Sequence, residues 1–188
     1  IDKIIPLNDM KGYELLKATM FGFGYPNYGV ALLLKEEATG KIFLQRVKIT
    51  GSNAKPRILE IFKDEVIGLP GIPTVSALPL NGPEYMFFAV DKNVYCLDLN
   101  NITKPVTLYK SFDANVVAMN AESETYSCAH MAVGLENGEF YILMIYGAKN
   151  LSEEEKVIYP KHGAAYPAEE RMGRIVDIKY KQLNHWNY

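Results

Sequence analysis

Apolar runs of five or six residues recur along this chain, each followed by a short polar turn and a second apolar run. The first pair covers residues 30–34 and 42–47, the second 85–90 and 94–99, and the third 130–135 and 140–145. Thr39-Gly40 and Asn137-Gly138 supply residues that accept positive φ, as a tight hairpin requires. Asp91-Lys92-Asn93 serves the same purpose less well. Each unit is therefore predicted as strand, turn and strand.

The second runs begin at Ile42, Val94 and Phe140, 52 and 46 residues apart. That spacing is close to the roughly 40–50 residues of a four-stranded propeller blade. A shorter run precedes the hairpin at 74–78, 115–119 and 174–178, and a fourth strand reads at 57–62, at 106–110 and, weakly, at 157–159. The expected fold is all-β, a single β-propeller-like region over residues 1–188. Its blade-like units are 13–62, 74–110 and 115–159, and the first strand of another lies at 174–181. Three units and one strand do not close a ring, so the propeller is expected to be incomplete. A β-sandwich is the alternative. The near-continuous apolar run 86–90 favours burial on both faces, as in stacked blades. Helix is expected only at 7–17, capped by Asn8 or Asp9, and as a single turn at 151–156 capped by Ser152. Residues 160–173 read as a long loop.

Composition narrows the classes. The 188 residues are 48% hydrophobic and 22% charged, an ordinary globular balance. A net charge of -2 leaves no basic excess to neutralise phosphates, so nucleic acid is not an expected partner. No apolar run reaches the roughly 18–20 residues that span a bilayer. The chain begins at Ile1 without a signal peptide and is read as processed or as a piece of something longer. Cys96 and Cys128 lie in apolar runs of different units and are expected as buried thiols without a disulfide.

No motif points to catalysis, to a metal or to a cofactor. His130, His162 and His185 are not spaced with Cys, Asp or Glu as a zinc site would be. His130 reads as a packed or edge residue. The serines lack the Gly-x-Ser-x-Gly context of a hydrolase elbow. Gly22-Phe23-Gly24 is not followed by a helix to receive a phosphate. Glu153, Glu154 and Glu155 read as a solvated helix face. Asp91, Asn93, Asp98, Asn100 and Asn101 are too irregular for an EF-hand, with a loose Ca²⁺ site left as the alternative.

The strongest candidate for ligand contact is aromatic. Phe21, Phe23, Tyr25 and Tyr28 fall within eight residues, set among Gly22, Gly24, Pro26 and Gly29. Glycine lets this segment turn sharply and proline restricts it, so rings can be displayed at low entropic cost. Stacking on sugar faces then supplies affinity, and Asn27 or a tyrosine hydroxyl supplies direction. The opposing reading buries the same rings in the core or over a blade edge. A second candidate loop carries His162, Tyr166, Glu169 and Arg171, against a plain solvated connection.

Residues 94–99, 131–141 and 173–181 resemble the propeller-type C-terminal region of PKD-like lipoproteins of the Bacteroides group. The likeness covers about residues 74–181 and is one of strands and turns. It implies a cell-envelope protein, surface-exposed or periplasmic, lipid-anchored through an upstream signal and preceded by PKD-like sandwich domains. It also implies a surface binding or scaffolding role, often tied to glycan capture. The expectation is thus a non-catalytic recognition or scaffold module for a glycan or protein ligand. A propeller-type glycosidase or lyase with carboxylates at the channel mouth is the alternative.

Overall fold

The computed structural model describes residues 10–22, 28–52, 55–79, 85–125, 128–146 and 163–166. Among them the chain is all-β, with twelve strands and no helix. Sheet 1 holds β1 (Tyr13–Gly22), β2 (Tyr28–Glu36), β3 (Ile42–Ser52) and β4 (Lys55–Glu65). Sheet 2 holds β5 (Val75–Ala77), β6 (Tyr85–Val90), β7 (Asn93–Asp98) and β8 (Thr107–Ser111). Sheet 3 holds β9 (Val116–Thr125), β10 (Cys128–Leu135), β11 (Phe140–Tyr146) and β12 (Gly163–Tyr166). Each is an open antiparallel meander whose strands lie side by side in chain order.

The turns form where the residues permit them. Gly40 (φ 74°) and Gly138 (φ 91°) take up left-handed backbone, and their N–H groups donate to the carbonyls of Glu36 and Leu135. The second hairpin, β6–β7, has no glycine at its turn. Asp91 adopts φ 53° there, a conformation that Asp tolerates better than most non-glycine residues.

The three sheets pack as layers with sheet 2 in the middle. All six residues of β6 are buried. Phe87, Ala89, Val94, Cys96 and Tyr109 share one core with Met119, Met131, Val133, Leu135, Leu143 and Ile145 of sheet 3. Met86, Phe88 and Leu97 share a second core with Ala31, Leu33, Ile42 and Leu44 of sheet 1. Side chains alternate across a strand, so a run apolar at every position is what a sheet covered on both sides requires. Each fully buried Phe or Leu contributes about 1.5–3 kcal/mol.

The two interfaces are not alike. Sheets 2 and 3 are linked by four residues, 112–115. Val116 N–H donates to the Asp91 carbonyl at 2.8 Å and Phe112 N–H to the Lys92 carbonyl at 2.9 Å, so the β6–β7 turn anchors the start of sheet 3. The Thr74 hydroxyl lies 3.3 Å from both the Ala89 and Val116 carbonyls, where the first strands β5 and β9 approach. Sheets 1 and 2 are linked by nine residues, 66–74. Here Val106, at the end of sheet 2 away from the β6–β7 turn, donates to the carbonyl of Ile67 just after β4. The linker packs Leu69 into the core and brings Gly68 against Pro105.

Three local expectations are corrected. Residues 13–17 of the expected helix 7–17 are strand, because β1 pairs with β2 from Tyr13↔Glu36 to Gly22↔Tyr28. The helical signal of Leu15-Leu16-Lys17 is overridden by that ladder, since propensity is a weak prior against tertiary pairing. Residues 163–166 of the expected loop 160–173 form β12, which pairs with Phe140 to Leu143. The third sheet therefore extends past residue 159 to Tyr166. The strands expected at 157–159 and 174–181, and the turn expected at 151–156, lie outside the described residues.

Candidate functional site

The aromatic segment sits at one end of the β1–β2 hairpin. Phe21 pairs with Gly29 and Gly22 with Tyr28, so Phe21 and Tyr28 occupy the last two rungs of the ladder. Phe23, Tyr25 and Asn27 fall in the five connecting residues, 23–27, and lie outside the described residues.

The opposite end of that hairpin is tied down by several contacts. Glu37 N–H donates to the Gly12 carbonyl at 2.9 Å. The Tyr13 hydroxyl donates to Glu36 at 3.4 Å, and its ring meets Phe43 edge-on with centroids 5.6 Å apart. Lys63 reaches from β4 to place Nζ 3.6 Å from the centre of the Tyr13 ring, a cation–π contact. Lys35 and Glu14 form an exposed ion pair at 3.3 Å, and Lys41 and Glu65 another at 2.8 Å. Burial of β2 on both faces, with Leu32 and Leu34 as well as Ala31 and Leu33 in the interior, holds the hairpin to the layer stack. A strand of ten residues spans about 30 Å, so the secured end and the aromatic end are well separated.

The second candidate loop is less complete. Tyr166 is the last residue of β12 and pairs with Phe140. His162, Glu169 and Arg171 lie outside the described residues.

The other polar groups singled out in the sequence serve local structure. Asp98 accepts from the Asn100 N–H at 2.9 Å, the Asn93 side chain accepts from the Ser111 hydroxyl at 2.7 Å, and Asn101 accepts from Thr103 at 3.3 Å. The described residues hold no group of three or more His, Cys, Asp or Glu that could hold a metal ion. His130 belongs to a central strand, opposite Glu122 on β9 and Met144 on β11, and is half-buried rather than at an edge.

Between sheets 2 and 3 lies the buried thiol expected at Cys96, beside a buried phenol, Tyr109, that carried no sequence signal. Cys96 is a free, buried thiol, pushed well above the ordinary thiol range by burial and then by the charge of Asp98. Tyr109 shares its core, and burial followed by Cys96 pushes the phenol above the ordinary tyrosine range. The Tyr109 hydroxyl is buried and has no hydrogen-bond partner among the described residues. A thiol and a phenol held protonated in this way are inert, because the thiolate is the reactive form. At the edge of the same interface, Lys110 lies 5.5 Å from the centre of the Phe112 ring and 5.9 Å from that of Tyr141. Burial, then the charges of Glu139 and Asp113 and a hydrogen bond with Glu139, raises the Tyr141 phenol. Pairing of β7 with β8 brings Cys96 and Tyr109 together, and sheet stacking brings Tyr141 to Lys110 and Phe112.

Among the described residues no helix is long and apolar enough to cross a membrane. No family model matches the chain, and no curated protein matches it.

Proposed function

We propose that this chain is a non-catalytic recognition module that presents the aromatic hairpin end of sheet 1 to a glycan or protein ligand, on a scaffold built as part of a β-propeller. The carrying observation is that Phe21 and Tyr28 occupy the final rungs of a hairpin whose other end is secured by Tyr13, Glu36 and Lys63. A firmly held base lets a short aromatic connection engage a ligand without ordering the rest of the sheet. The propeller reading draws support from the in-order four-stranded meanders, the two buried faces of sheet 2 and the approach of first strands β5 and β9. The face-to-face core that sheets 1 and 2 share is the feature that a sandwich would also have. The resemblance to PKD-like lipoproteins supplies the location in this proposal, a bacterial cell envelope, with the upstream domains of a parent chain as neighbours.

Glycan-array and pull-down binding of the wild type, set beside a folded Tyr25→Ala, Tyr28→Ala double variant, tests the proposal. At about 0.5–1.5 kcal/mol per aromatic contact beyond its buried area, losing two is expected to cost about tenfold in affinity. Equal binding by both proteins would remove this hairpin end as the site.

A further inference from the structure

We draw no further inference here: the strongest candidate, the β8 edge of sheet 2 with exposed Leu108 two residues from Val106, which bonds to exposed Ile67 of the linker, carries nothing because a bulge between Val94 and Tyr95 already interrupts that edge and nothing in the structure shows what covers it.

Discussion

Phe87 and Phe88 are consecutive residues of β6, yet they belong to two different cores. Phe87 packs against Tyr109 with ring centroids 5.1 Å apart, in the cluster shared with sheet 3. Phe88 lies in the cluster shared with sheet 1. Both are 0% exposed, so one strand fills two interfaces at once.

This arrangement makes the two residues equally costly to lose. Phe87→Ala and Phe88→Ala are each expected to destabilise the protein by about 3–5 kcal/mol through lost burial and a residual cavity. Leu108→Ala, at a position 58% exposed, should change stability by no more than about 0.5 kcal/mol. Urea denaturation of the three variants checks this. A Phe variant as mild as Leu108→Ala would mean that sheet 2 has one uncovered face.

Two glycines separate backbone strain from packing. Gly40 (φ +74°) has open space where a Cβ would stand, whereas a Cβ on Gly68 (φ +78°) would meet the Pro105 Cβ at 3.1 Å. Gly40→Ala should cost about 1 kcal/mol for the left-handed backbone alone. Gly68→Ala should cost about 1 kcal/mol more, since a ring seated between linker and sheet must shift. Thermal melts compare the two directly. Equal losses would show that Pro105 yields freely.

Tyr109→Phe is expected to stabilise the fold. The phenol oxygen is buried without a partner among the described residues, and an unmade hydrogen bond at a buried hydroxyl costs about 1–3 kcal/mol. The ring itself, with its contact to Phe87, is retained. Equilibrium unfolding should show a gain of about 1 kcal/mol. A loss of that size would point to a bridging water that the hydroxyl holds.

Alkaline pH should weaken the fold through Cys96. Its folded pKa is raised above the ordinary thiol value of 9.0, so the folded chain keeps a proton that the unfolded chain releases. The contribution is intact below pH 9 and is lost as pH rises from there toward the folded value. The slope for one such group approaches about 1.4 kcal/mol per pH unit. Tyr109 adds a similar loss from its ordinary value of 10.0 upward. Stability measured at pH 7, 8, 9 and 10 should be level and then fall, and Cys96→Ala should flatten the decline between pH 9 and 10. Parallel curves for variant and wild type would remove the thiol as the cause.

Much of this architecture is written locally. The all-β class, the three central hairpins and the glycine turns of two of them follow from apolar runs, positive-φ residues and a regular interval, all properties of neighbouring positions. Even the double burial of sheet 2 was legible, because Met86 to Val90 leave no polar position for a wet face. The tertiary structure alone decided the rest. It turned residues 13–17 from an expected helix into the first strand of a ladder, and it recruited Gly163–Tyr166 as the twelfth strand. It placed Cys96 beside Tyr109 and stretched Lys63 across to Tyr13, pairs from separate strands. It also tied the linker after β4 to Val106, at the end of sheet 2 away from the β6–β7 turn that anchors sheet 3. Such choices depend on which apolar faces meet across layers. The same alternating strands satisfy their local hydrogen bonds in any stack, and only the side-chain packing between sheets separates one stack from another.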